Sequence, residues 1–91
     1  MEFKFYINPD SGKLHIHDHD VDPEDIFDFF SQRTILERKR QDGSFEAFGR
    51  IPSGRFLTVV YRKEPPDTIF VITAFDLKDR QIIDKLTREL E

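Results

Sequence analysis

Two stretches in the second half of the chain, "RFLTVVYRK" (residues 55–63) and "TIFVITAF" (residues 68–75), are almost unbroken apolar runs. A strand with one wet face alternates apolar and polar residues, so a continuous run of strand length belongs to a strand covered on both faces. The chain must therefore build a sheet with packing on both sides of its centre. These two runs are that centre, and Pro65-Pro66-Asp67 turns one into the other.

Two further strands precede them. Residues 33–40 lead into Asp42-Gly43, a pair that favours a two-residue hairpin. Residues 44–51 put Phe45, Ala47, Gly49 and Ile51 on one side and Ser44, Glu46, Phe48 and Arg50 on the other. Pro52-Ser53-Gly54 then turns the chain again. Strands over 33–40, 44–51, 55–63 and 68–75, joined by short turns, predict an antiparallel meander. At the start, "EFKFYI" alternates, "NPDSGK" is a turn cluster, and Leu14-His15-Ile16-His17 resumes alternation. An N-terminal strand or hairpin over 2–7 and 13–18 is expected.

Helices flank the meander. Asp22 suits a cap, Pro23 the first helical position, and Glu24 and Asp25 the positive end of the dipole. Ile26, Phe27, Phe29 and Phe30 then share a face, predicting a short helix over 23–31. Ile82, Ile83, Leu86 and Leu90 form the stripe of a second helix over 78–90. Residues 1–91 thus read as a single α+β domain.

With 91 residues the chain holds one core, and its ten phenylalanines suggest that aromatic rings fill it. The absence of cysteine excludes disulfides and thiolate metal sites. No run has the roughly 18 apolar residues of a membrane span and no leader-like segment opens the chain, so a cytoplasmic location is expected. The formal net charge of -4 hides a segregation. Residues 1–31 carry two bases against eight acids, residues 32–63 carry eight bases against three acids, and residues 64–91 carry four against seven. Such polarity can place a basic face on an acidic body.

"LHIHDHD" sets His15, His17 and His19 on alternate positions. On a strand their rings would share a side, a feasible arrangement for a metal with Asp18 or Asp20 adding oxygen. No cysteine and no other histidine exists to complete a shell. The favoured reading is a polar, solvated row with no metal and no cofactor.

"HDVDPEDIFDFF", "FGRIPSGRFLTVVY" and "VITAF", in that order, together resemble the BrnT toxins of type II toxin–antitoxin pairs, and a related domain family of unknown function, within the RelE-like ribonuclease superfamily. The similarity runs from His19 to about Leu90. On it His19 matches the family histidine, Gly49 the glycine closing a strand, Gly54-Arg55 the GR turn, Tyr61 a His/Tyr position, and Thr73-Ala74 the I-[ST]-A strand end. Ser44, Phe75 and Asp76 stand where the toxins usually carry arginines.

The resemblance implies metal-free RNA cleavage, in which a ribose 2′-hydroxyl attacks the adjacent phosphate. It also implies a cognate antitoxin as partner. Such chemistry needs a base, an acid and cations facing the phosphate. The candidates are Arg55, Tyr61, Glu46 and His19 for catalysis, with Lys39, Arg50 and Arg62 for RNA phosphate. Two other readings keep the fold: a non-catalytic module that binds a partner protein, and a metal-binding domain built on His15, His17 and His19.

Overall fold

A computed structural model describes residues 1–32 and 35–90. The elements run β1 (Glu2–Phe5), a 3-10 turn η1 (His15–His19), α1 (Pro23–Ser31), β2 (Leu36–Lys39), β3 (Phe45–Arg50), β4 (Phe56–Glu64), β5 (Thr68–Asp76) and α2 (Arg80–Leu90). The five strands form one sheet in the order β1-β5-β4-β3-β2. The expected meander is present: β2 to β5 pair antiparallel in sequence order. The two apolar runs lie where they were placed, as β4 and β5 in the interior of the sheet.

Two turns of one design join β2 to β3 and β3 to β4. Gly43 N–H donates to the Arg40 carbonyl while Arg40 N–H donates to Ser44; Gly54 and Ile51 repeat the pattern with Arg55. In each, the turn closes on a glycine at positive φ, 88° for Gly43 and 95° for Gly54. The first loop is therefore three residues long, not the two that Asp42-Gly43 suggested. Asp42 accepts from both the N–H and the hydroxyl of Ser44, which steadies the longer turn. Of the expected strand 33–40, residues 36–39 are β2, and Arg33 and Thr34 lie outside the described residues.

The N-terminal hairpin is corrected. β1 pairs parallel to β5, Glu2 to Phe5 against Thr68 to Val71, and stops. Only an isolated Ile7–Leu14 bridge remains of the second arm, and His15–His19 is a 3-10 turn instead of a strand. The reason lies in Ile16, which is 1% exposed and turns alone into the core while the histidines around it stay outside or half-outside. Beyond Val71, the edge of β5 that faces away from β4 has no strand beside it, and η1 packs there. Asp20 ends η1 in the left-handed region at φ 58°, a conformation that aspartate tolerates better than most residues, and Val21 returns to the core.

The single core expected from the chain length is corrected: the sheet divides the buried residues into two clusters, one on each face. On one, Ala47, Leu57, Val59, Tyr61, Ile69 and Val71 meet Ile16, Val21, Ile26 and Phe29 from η1 and α1. Phe30 meets the Tyr61 ring edge-on at 5.0 Å and Phe45 stacks on it at 5.8 Å, but aliphatic side chains make up most of the buried cluster, in which Phe29 and Tyr61 are the aromatic members. Phe27 falls at its margin, 43% exposed, against Phe3 and Phe5. On the other face, Phe48 joins Leu77 and Leu86, with Leu36, Phe56, Ile82 and Ile83 packed around them. Helix α2 starts two residues later than expected because Asp79 caps it, its carboxylate accepting from Gln81 N–H at 2.9 Å. Among the described residues no helix is long and apolar enough to cross a membrane.

Gly49 is required by packing, not by backbone conformation. A Cβ there would lie 3.0 Å from the Phe29 ring, 3.0 Å from Ile35 and 2.8 Å from the Gln32 amide. Phe29 is fully buried and has no space to yield. Gly49→Ala is therefore expected to cost about 1–3 kcal/mol, lowering the melting temperature by roughly 4–8 °C per kcal/mol. Thermal denaturation with an unchanged midpoint would refute the close approach.

Candidate functional site

A cavity of about 670 Å³ opens on the α2 face of the sheet. Its walls come from segments remote in sequence: His19 from η1, Arg38 from β2, Glu46 and Phe48 from β3, Thr58 from β4, Phe75 and Asp76 from β5, and Lys78, Asp79 and Ile82 around the start of α2. It exists because α2 covers only part of the face. Leu86 and Ile83 pack toward Phe48, Phe56 and Leu36, while the chain from Leu77 to Ile82 bridges across and leaves space beneath. A hollow of this size suits one nucleotide or a comparable small ligand.

Of the four residues named from the sequence for catalysis, two meet here: His19 and Glu46. Arg38 holds Glu46 in an asymmetric way. Its Nε lies 2.6 Å and its Nη2 2.5 Å from the same oxygen, Oε1. One edge of the guanidinium is thus spent on one oxygen, which leaves the Nη1 donors of Arg38 and the Oε2 of Glu46 directed elsewhere. The guanidinium also lies over the Phe48 ring at 5.4 Å. Because Arg38 is well exposed, the pair adds little stability and can rearrange around a ligand.

Arg55 and Tyr61 have other work. Arg55 Nε donates to Asp76 at 2.5 Å, Nη1 to the Asp20 carbonyl at 2.5 Å, and Nη2 to the His19 carbonyl at 3.0 Å. Asp76 and burial act on it in opposite senses, and the hydrogen bond to Asp76 prevails, raising its pKa further. The guanidinium ties the β3–β4 turn to the end of β5 and to the carbonyls that close η1. That places the His19 backbone beside the cavity. Tyr61 is 1% exposed in the main core, on the opposite face from the cavity, with its hydroxyl donating to Glu37. Burial first, and the Glu37 carboxylate second, push its phenol pKa up.

The expected phosphate-binding cations do not gather. Arg50 and Arg62 share the cavity's face but stand at opposite ends of β4, opposite Phe56 and at position 62, roughly 20 Å apart at ~3.3 Å per residue. Arg50 leans over the Phe56 ring at 5.8 Å, and neither makes an ion pair among the described residues. Lys39 pairs opposite Phe45, on the other face of the sheet. There Lys63 takes the Glu37 carboxylate at 3.1 Å and lies over the Phe45 ring at 4.2 Å. Two cations of the cavity, Arg38 and Lys78, were not singled out from the sequence. Arg38 was legible as the strand neighbour across from Glu46; Lys78 had no such signal.

The histidine row does not form. In a 3-10 turn alternate residues do not share a side, and His15 and His17 each lie against a different carboxylate, Asp18 at 3.6 Å and Asp22 at 3.5 Å. Among the described residues no group of three His, Cys, Asp or Glu side chains is placed to hold a metal ion. The premise of the histidine metal site was a strand, and that premise is overturned. No protein-family model, curated protein or solved structure matches the chain.

Two outcomes test these placements. Arg55→Ala should cost roughly 1.5–3 kcal/mol, the scale of hydrogen bonds to charged groups, with Arg55→Lys intermediate because lysine lacks the fork; equal denaturant midpoints in all three proteins would dismiss the clamp. For Tyr61, the folded pKa lies above the unfolded value near 10.0, so the unfolded chain ionises first as pH rises. The wild type should lose stability relative to Tyr61→Phe from about pH 10 upward, and parallel stability–pH curves for the two proteins would contradict the buried phenol.

Proposed function

We propose that this chain is a BrnT/RelE-like, toxin-type protein that cleaves RNA in the cavity beneath α2, and that a partner antitoxin restrains it in the cytoplasm. The observation that carries the reading is the meeting of two proton carriers, His19 and Glu46, with two cations, Arg38 and Lys78, around one hollow of nucleotide size. The ordered motifs add support. His19 and Val21 precede α1, Gly49 lies in β3, Gly54-Arg55 forms the next turn, and Thr73-Ala74 lies near the end of β5.

In this reading Glu46 takes the proton of the ribose 2′-hydroxyl, whose oxygen forms the new bond to phosphorus. The bond from phosphorus to the 5′ oxygen breaks, and His19 returns a proton to that oxygen, leaving a cyclic phosphate. Arg38, through its remaining donors, and Lys78 face the charge that builds on the phosphoryl oxygens. Arg55 is a positioning residue that holds the η1 end from which His19 reaches the cavity.

A second reading has a specific observation behind it. The cavity's two cations face three carboxylates, Glu46, Asp76 and Asp79, and Arg55 is engaged by Asp76. That balance suits a module of the same fold that binds a partner protein and cleaves nothing.

Expression of the wild type should arrest bacterial growth, and the purified protein should cleave RNA in the presence of a chelator. Arg38→Ala, a change at a well-exposed side chain, should cut cleavage by about 10²- to 10³-fold, the cost of removing one donor to a developing charge. Neither arrest nor cleavage, together with a stable complex with the product of a neighbouring gene, would select the binding module.

A further inference from the structure

Four rings from three segments form an unbroken row that ends in the cavity. Tyr6 packs edge-on to His15 at 6.0 Å, His15 edge-on to His19 at 5.4 Å, and His19 against Phe75 at 6.0 Å. His19 and Phe75 themselves line the cavity. The row is not core. Tyr6 is 41% and Phe75 37% exposed, and His19 is exposed as well. No packing demand accounts for Tyr6, which lies outside both hydrophobic clusters. Its place is set by the backbone: Tyr6 N–H donates to Val71 and its carbonyl accepts from His15 N–H, which holds the two rings side by side.

We infer that this row is a stacking track for the unpaired bases of single-stranded RNA, leading the strand from Tyr6 past His15 and His19 to Phe75 at the cavity. The inference rests on the RNA reading above and names the form of RNA that the site accepts. Exposed rings in sequence bind bases by their π faces, which only an unpaired strand presents. The charges around the track favour stacking over a phosphate grip. Asp18 lies 3.6 Å from His15 and Asp22 3.5 Å from His17, contacts that are ionic only with a protonated imidazole, and Asp76 is paired with Arg55. Among the described residues no stripe of arginine or lysine accompanies the rings. Binding along the track therefore depends on the bases and falls only shallowly with added salt.

A labelled deoxyadenylate ten-mer tests the track apart from the chemistry, because it has bases but no 2′-hydroxyl to attack. The wild type should bind it in fluorescence polarisation, and bind an abasic ten-mer of the same backbone or a blunt duplex far more weakly. Tyr6→Ala and Phe75→Ala should each weaken binding on the order of 5- to 100-fold, with Tyr6→Phe close to wild type. Both changed side chains are substantially exposed, and circular dichroism checks that the variants fold. Equal binding of the abasic strand or the duplex, unaltered affinity in both alanine variants, or no binding of the ten-mer would overturn the track. The outcomes separate from those of the nuclease reading. RNA cleavage with no loss in these variants removes the track alone, whereas ring-dependent binding without any RNA cleavage removes the nuclease alone.

Discussion

Leu57, Val59 and Tyr61 leave β4 on one side, and Phe56, Thr58 and Val60 on the other, so this strand is dry only if both faces of the sheet are covered. All but Phe56 are buried. The rest of the architecture answers that demand. The first face is covered by η1 and α1, which arrive before the meander and seat Ile16, Val21, Ile26 and Phe29 against it. Only α2 remains for the second face, and at 11 residues, about 16 Å long, it is too short to span it. A sheet that needs two covers and receives one and a half leaves a hollow, and the residues at its rim become the candidate site. Site and fold have one cause.

What the sequence made legible follows the same logic. Continuous apolar runs identified β4 and β5, and glycine-containing turns identified the meander, because both signals act through local geometry that tertiary packing does not reverse. The stretch from Leu14 to His19 failed for the opposite reason. Alternating Leu14, Ile16 and polar neighbours is the pattern of a strand, but Ile16 needs only to reach the core once, and a 3-10 turn along the outer edge of β5 does this at less length. Periodicity over five residues could not separate the two. The parallel pairing of β1 with β5 was equally hidden, since nothing local in "EFKF" specifies a partner more than 60 residues away.

The site divides along the same line. Glu46 and His19, which strand parity and the order of motifs had singled out, both line the cavity. Arg55 was singled out as well, and its guanidinium is engaged within the fold. A guanidinium after a turn glycine reads as a phosphate clamp, yet its partners, Asp76 and two carbonyls of η1, are supplied by a contact across 21 to 36 residues. Asp76 stands where the resemblance expected an arginine, and it pairs with Arg55. The basic segment of residues 32–63 is thus distributed over both faces of the sheet and both ends of β4. Segment charge is conserved on folding; its direction is not.

This distribution decides what kind of recognition the molecule can support. A patch of converging cations would grip any polyanion, duplex or single strand, and would fail steeply in salt. Here the cavity holds Arg38 and Lys78 against three carboxylates, so a polyanion gains little from long-range attraction and must be held by shape and stacking once it arrives. The Arg38–Glu46 pair fits that regime. Its guanidinium engages a single carboxylate oxygen, and an incoming phosphate can take the unused donors without leaving Glu46 as an uncompensated charge. These terms suit a ligand held by its flat rings more than by its charge. The ring row reaches the cavity at His19 and Phe75, which line it.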